Sequence, residues 1–173
     1  MRDDWHGLVK ILEIEHVRDG KVIWREQNLY NMLHTLAEEF FLGVLFSNVA
    51  KPTTYYMGLD ARTAILAADT MESVTNEPTV NGYLRQQVLS SGAFNVQLVT
   101  VGSSSVYRAI GPIITFIASG GSWGPVNTLF MTNKADNTGV LLSSVPLSQP
   151  LTLNNGDSIN MRMSLSLRDA PLS

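Results

Sequence analysis

The chain has 173 residues, of which 45% are hydrophobic and 16% are charged, and its length suits one domain with a single core. Twelve basic and fifteen acidic residues give a net charge of −3, which excludes a basic field that would condense onto nucleic acid or an anionic membrane. Cysteine is absent, which excludes disulfides, thiolate metal sites and a cysteine nucleophile.

The N-terminal part of the chain predicts a β-hairpin. Residues 1–7 lack the apolar stretch of a signal peptide, and no later run reaches the roughly 18 apolar residues of a membrane span, so we expect synthesis and folding in a cytoplasm. The β-prone runs 8–17 and 21–26 flank an Asp19-Gly20 pair, which is a strong hairpin signal. We therefore assign residues 1–26 to an N-terminal hairpin.

The next segment predicts a helix. Apolar residues recur at steps of three and four from Leu29 to Val44, and Asn28 is a candidate N-cap, so residues 28–46 are assigned to one helix. Further apolar residues lie off that stripe, namely Tyr30, Met32, Phe41, Leu42 and Leu45. A helix that is apolar nearly all round is expected to be buried, either in its own fold or in an assembly.

The rest of the chain predicts strands separated by turns. Residues 53–59 read as a strand, and residues 60–82 form a long irregular connection with Asp69-Thr70 as a candidate N-cap, which makes this connection the best candidate for a contact loop. Further strand candidates are 83–89, 94–101, 106–118 with a break at Gly111-Pro112, 126–132, 139–145 and 158–168, before a fraying tail at 169–173. The fold class is therefore mainly β: an antiparallel β-sandwich or jelly-roll-like domain over residues 53–168, with the N-terminal β-hairpin and one α-helix, in a single domain of residues 1–173.

One segment matches a catalytic motif, but its context does not. Residues 120–124 fit the G-x-S-x-G pattern of a nucleophile elbow around Ser122. Such an elbow needs a helix after the serine and a later histidine, whereas residues 125–130 read as a strand and His6, His16 and His34 all precede Ser122. We expect a hairpin tip there, no catalytic residue and no enzymatic activity.

Metal-binding patterns are equally weak. Glu38 follows His34 at the four-residue spacing of a helical metal site, but one such pair is more often a histidine with an ordinary acidic neighbour. The loop aspartates lack the alternation of a calcium loop; they are Asp60, Asp69, Asp136 and Asp157. No metal site and no cofactor are therefore predicted.

The aromatic residues could suggest a sugar-binding platform at Tyr55 and Tyr56 with Arg62. Adjacent strand residues point to opposite faces, however, so both tyrosines cannot line one platform and one of them is expected in the core. The tryptophans are spread along the chain and are interpreted as packing or interface anchors; they are Trp5, Trp24 and Trp123.

Several short motifs resemble those of tailed-bacteriophage virion proteins. A helix with the block 27–31 precedes the "yy-GL" strand at 52–59, the "a-DT" loop at 67–71 and the "Y-R" strand at 81–85. The closing segments 141–147 and 153–159 also resemble that group, whose members end with a "GD" turn into a last alternating strand. The resemblance covers residues 27–168 and does not clearly include the hairpin.

This resemblance implies a virion structural protein made in a bacterial host. The first interpretation is a capsid cement (decoration) protein that bridges capsomers, with the major capsid protein and copies of itself, in a homotrimer, as partners and without direct nucleic acid or membrane contact. The alternative is a tail, head-fibre or tail-tip structural or receptor-binding protein. In either case residues 60–82 and 1–7 are expected to contact neighbours, because of their length and their lack of core-forming periodicity. The low charged fraction separately suggests that part of the surface is covered by a partner.

Overall fold

The computed structural model describes residues 8–101 and 104–166, and it contains two antiparallel five-stranded sheets. The strands are β1 (Leu8–Arg18), β2 (Lys21–Tyr30), β3 (Met32–Leu33), β4 (Thr54–Asp60), β5 (Gln86–Leu89), β6 (Asn95–Val101), β7 (Ser104–Ile117), β8 (Trp123–Thr132), β9 (Leu141–Leu153) and β10 (Ser158–Ser166). Helix α1 is Thr35–Phe46, and a short 3₁₀ turn is Met71–Ser73. The predicted β-sandwich with one α-helix is confirmed.

The two sheets pack face to face around one main core. Sheet A has the strand order β2-β1-β10-β7-β6 and sheet B the order β3-β9-β8-β4-β5. The last strand, β10, lies between β1 and β7, so the chain's end holds the N-terminal hairpin in the sheet. Fully buried side chains from both sheets fill the space between them, including Ile11, Ile14, Leu59, Phe116, Leu129, Leu153 and Met163. Period-two alternation produces this inward face.

The helix begins later than the sequence predicts. Residues 29–30 continue β2, Met32–Leu33 form β3, and α1 begins at Thr35 after His34, so the assignment of residues 28–46 to one helix is wrong in its first part. Asn28 is not the N-cap: it lies inside β2 with a left-handed φ of 60°. Leu29 pairs with Ile11 and Tyr30 with Lys10, both on β1. This strand pairing outweighs the helical period of the local sequence, because propensity is weak compared with tertiary contacts.

Three strand boundaries also differ from prediction. The predicted strand 83–89 is only Gln86–Leu89, because Tyr83 leaves the ladder to place its ring in the core. The predicted break at Gly111-Pro112 is wrong: β7 runs through it, and a register shift between Arg162 and Ser164 on β10 absorbs the irregularity. Strand β9 extends beyond residue 145 to Leu153. Residues 1–7 and 167–173, including Trp5 and the predicted tail, lie outside the described residues.

Sheet B carries a second, smaller core on its outer face. Phe130 on β8 packs there with Leu141 on β9 and with Met71 and Val74 from the β4–β5 connection. Gly58 lies directly opposite Phe130, and a Cβ atom at Gly58 would approach Phe130 Cζ to 2.1 Å. The connection therefore covers a face that a sandwich would otherwise leave to solvent.

We expect Gly58→Ala to lower the unfolding free energy by about 1–3 kcal/mol, because the added methyl overpacks a fully buried ring. Chemical denaturation of both proteins measures the loss. A second variant that combines Gly58→Ala with Phe130→Leu removes the clashing ring and should lose less stability than the two single losses added together. Simple additivity of the two changes would show that the close approach is not the cause.

Candidate interaction surface

The predicted contact loop is fixed to the sandwich at its start by buried charges. Arg62 ion-pairs with Asp60, the last residue of β4, and its Nη1 donates to Asp69 Oδ2 at 3.0 Å. Asp60 is fully buried, and the Arg62 side chain is 10% exposed. From β8, Thr128 Oγ1 donates to the Arg62 carbonyl oxygen at 2.7 Å, which holds the backbone as well. These contacts make the first turn of the loop rigid.

A second polar group fixes the end of the same connection. Arg85 pairs with Glu77, and its Nη1 donates to the Asp136 carbonyl oxygen at 2.8 Å. The Tyr83 hydroxyl accepts from the Leu59 N–H at 2.8 Å and donates to Glu77 Oε1 at 2.8 Å. Burial, reinforced by the Glu77 charge, raises the pKa of Tyr83 far above its usual range. The connection is thus a packed structural element rather than a free loop.

His34 precedes α1, and its two ring nitrogens make hydrogen bonds to different parts of the fold, one to this loop and one to β9. Its Nδ1–H donates to the Leu66 carbonyl oxygen at 3.0 Å, and its Nε2 accepts from Ser144 Oγ at 2.8 Å. Burial lowers the pKa of His34, which favours this neutral form. Both ring nitrogens are therefore occupied, and Glu38 lies exposed on the helix, so the pair does not form the helical metal site considered from its spacing.

Asp157 is the centre of a clamp between the last turn and the N-terminal hairpin. Its carboxylate accepts from Arg18 Nη2 at 2.7 Å, from His16 Nε2 at 2.9 Å and from the Asn154 N–H at 2.8 Å. The Arg18 hydrogen bonds, more than any other contact, hold the pKa of Asp157 well below its usual range. The "GD" turn of the sequence thus has a structural role in this fold.

The other residues singled out in the sequence are placed apart. Ser122 is exposed just before β8, and a strand rather than a helix follows it. Tyr55 is buried in the core, whereas Tyr56 points away from it, as strand alternation predicts. Trp123 is buried and Trp24 packs against the core. In residues 8–101 and 104–166, no group of three or more His, Cys, Asp or Glu side chains is arranged to hold a metal ion.

The outer side of α1 is an exposed apolar surface. Ala37 faces the sandwich with Phe40 and Phe41, while Leu42, Leu45 and Phe46, at helical spacing, and Val49, just after the helix, are 42–82% exposed. We call these four residues the helix face. Val49 follows the helix and folds back over Gly43, where a Cβ atom would lie 2.7 Å from Val49 Cγ2. The helix is therefore partly buried by its own fold, and its other side is exposed.

The size of the helix face makes it a candidate interaction site. Its exposed apolar area is on the order of 400 Å², which matches the largest apolar patch of a typical monomer, and such patches are often functional. The sequence predicts the apolar character of this helix but not which side of it stays exposed. The helical spacing of Leu42, Leu45 and Phe46 is the signal that could have identified it. In the described residues, no helix is long and apolar enough to cross a membrane.

The described residues form a mainly β module with exposed apolar residues on α1 and on strands β6 and β7. A family model described as "Podophage GP4 fiber I protein gp80" matches residues 32–166, which is well over half of the chain. The chain belongs to this family of phage fibre proteins and is a structural component of the virion. The match begins at β3 and leaves the β1–β2 hairpin outside. No curated protein matches the chain.

Proposed function

We propose that this protein is a non-enzymatic structural subunit of a phage fibre, and that the helix face contacts another chain of the fibre. The observation that carries the proposal is the family match over residues 32–166, whose description names a fibre. That description favours the alternative of our sequence interpretation, a tail or head fibre, over a capsid cement protein. The uncovered apolar side of α1 supports the assembly role, because burying it would release apolar area from water.

The rigid loop supports the same role. Leu66 is 65% exposed and lies where the loop is bonded to the start of α1, since Thr35 N–H donates to the Ala67 carbonyl oxygen at 2.9 Å. Leu66 therefore belongs to a second ordered surface, at the start of α1 and apart from the helix face, that a neighbouring chain could meet. Binding to a preorganised surface costs less conformational entropy than binding to a mobile loop.

Counting copies in purified particles tests the location. Quantitative mass spectrometry of this chain against the major shell protein should give a handful of copies per particle. A ratio near one, or a simple fraction such as one third, would instead support the capsid cement interpretation and contradict the fibre proposal.

A variant at the helix face tests the contact. Leu45→Ser combined with Phe46→Ser changes two side chains that are 59% and 82% exposed, so the isolated protein should fold with nearly unchanged stability. Phage that carry this variant should incorporate several-fold fewer copies per particle than wild type. Leu84→Ser, which changes an equally exposed leucine (72%) in the β4–β5 connection, is the matched control. Equal incorporation of both variants would contradict a contact through the helix face.

A further inference from the structure

Within residues 8–101 and 104–166 the two sheets end in four edge strands, and three of these strands carry features that prevent pairing with another chain. Strand β3 has two residues and β5 has four, which is too short to recruit a partner strand. Strand β2 carries Lys21, Arg25 and Glu26, and its pairing with β1 is interrupted by a register shift. Charges, bulges and shortness are the usual ways in which proteins protect sheet edges.

Strand β6 is the exception. It has seven residues, contains neither proline nor a charged residue, and its register with β7 is unbroken from Asn95↔Ile110 to Val101↔Ser104. Among the described residues it pairs only with β7, so its other edge presents free backbone donors and acceptors. A long, regular and uncharged edge is a template for another strand. In a native protein such an edge is expected to be covered.

The side chains beside this edge are apolar and exposed. Val96 and Leu98 on β6 are 67% and 56% exposed, and Tyr107, which is paired with Leu98, is 67% exposed. Further along β7, Ile113 and Ile117 are 66% and 56% exposed. We call these five residues the β6–β7 face. The exposed apolar area of these five residues is on the order of 500 Å². Val96, Leu98 and Tyr107 lie on the part of the sheet next to the free edge, whereas Ile113 and Ile117 lie beyond the part of β7 that pairs with β6.

We propose that β6 pairs antiparallel with β6 of a second copy of this chain, which joins two A sheets into one continuous sheet. Self-pairing fits because residues 95–107 contain no charged residue, so there is no charge pattern for an unlike partner to complement and no repulsion between copies. A two-fold axis at Leu98 would place the two Leu98 side chains opposite each other. Val96 would then face Thr100 of the other copy, which pairs two β-branched residues.

The resulting interface is centred on the two paired strands. Each copy would contribute the free edge of a seven-residue strand with the side chains of Val96, Leu98 and Thr100 on it. Main-chain hydrogen bonds give the affinity in such strand additions, and the alternate side chains give the register. The proposal concerns the isolated protein in solution and does not depend on the location of the chain in the virion.

Charged substitutions of Leu98 test this geometry. The wild-type protein should have twice the chain mass of 19.0 kDa by light scattering. Leu98→Lys and Leu98→Glu should each raise the dimer dissociation constant by about tenfold or more, because like charges directly opposite each other destabilise strand pairs. An equimolar mixture of the two variants should recover the dimer. Ile23→Lys, on the β2 edge and 50% exposed, should leave the dimer unchanged.

Crosslinking provides a second measurement that does not rely on charge. The chain has no cysteine, so Leu98→Cys introduces a single thiol. Directly opposed residues in an antiparallel pair have Cα atoms about 4.5–5.5 Å apart, which lies within the range for a disulfide. Leu98→Cys should form a covalent dimer under mild oxidation, whereas Ile23→Cys should not. A monomeric wild-type protein, or a dimer that is insensitive at Leu98 but lost in the Leu45→Ser/Phe46→Ser variant, would overturn the proposal.

Discussion

Arg62→Met is expected to lower the unfolding free energy by about 3–5 kcal/mol, the largest effect that we expect from a single substitution here. Asp60 is fully buried beside Arg62, and removing the guanidinium leaves its carboxylate without a compensating charge. In the part of the chain that the structure describes, Asp60 Oδ1 has no hydrogen-bond partner, and the carboxylate is bound to Arg62 through Oδ2. Urea denaturation of the wild type and the variant measures the difference.

Two further variants separate this explanation from a general effect of losing an arginine. Arg25→Met removes an exposed ion pair with Glu15, and exposed pairs contribute little, so its effect on stability should be far smaller. Adding Asp60→Asn to Arg62→Met removes the buried charge and should recover a large part of the loss. If the double variant is less stable than Arg62→Met, the buried carboxylate is not the source of the cost.

The same substitution should also loosen the β4–β5 connection. Arg62 bonds Asp69, and Asp69 Oδ2 accepts from the Leu66 N–H at 3.0 Å, so the guanidinium holds the part of the loop that meets α1. Amide hydrogen exchange in residues 61–76 should therefore accelerate in Arg62→Met before exchange in the strands does. An unchanged exchange pattern in that segment would show that the hydrophobic contacts of Met71 and Val74 alone hold the loop.

Asp157→Asn is expected to lower the unfolding free energy by about 3 kcal/mol at pH 7, because a buried carboxylate that accepts from Arg18, His16 and the Asn154 N–H loses its charge. The effect should depend on pH. The pKa of Asp157 is lower in the folded than in the unfolded state, chiefly because of Arg18, so its contribution is complete above the ordinary aspartate pKa, near 4.

Measuring the unfolding free energy as a function of pH tests the sign of this dependence on the Asp157 charge. As the pH falls below about 4, the unfolded state takes up a proton while folded Asp157 stays ionised, so the wild type should lose stability faster than Asp157→Asn. The two stabilities should therefore converge at low pH. Glu39→Gln, which removes an exposed carboxylate on α1, should instead run parallel to the wild type. A constant gap between wild type and Asp157→Asn down to acidic pH would contradict the role of the charge.

The sequence by itself determined the elements whose signal is local. Asp19 and Gly20 predicted the β1–β2 turn, and both adopt left-handed φ values, of 49° and 73°. Strict alternation predicted β10, and Thr70 does cap the 3₁₀ turn, where its side chain accepts from the Glu72 N–H. In each case the determining groups lie within a few residues, so period and turn chemistry are sufficient. The resemblance to phage virion proteins, too, depended on short contiguous motifs and is confirmed at that level by the family match.

Only the tertiary structure decided the features that depend on partners distant in the chain. Whether Leu29 joins a helix or a strand is set by its pairing with Ile11, and the ring of Tyr83 is drawn from its predicted strand to Phe116 and Trp123. The exposed side of α1 follows from where the sandwich lies against it. That β6 is a free edge follows from the strand order, in which consecutive strands need not be neighbours. Exposure and edge position are properties of the packed arrangement, and the local period of a sequence does not encode them.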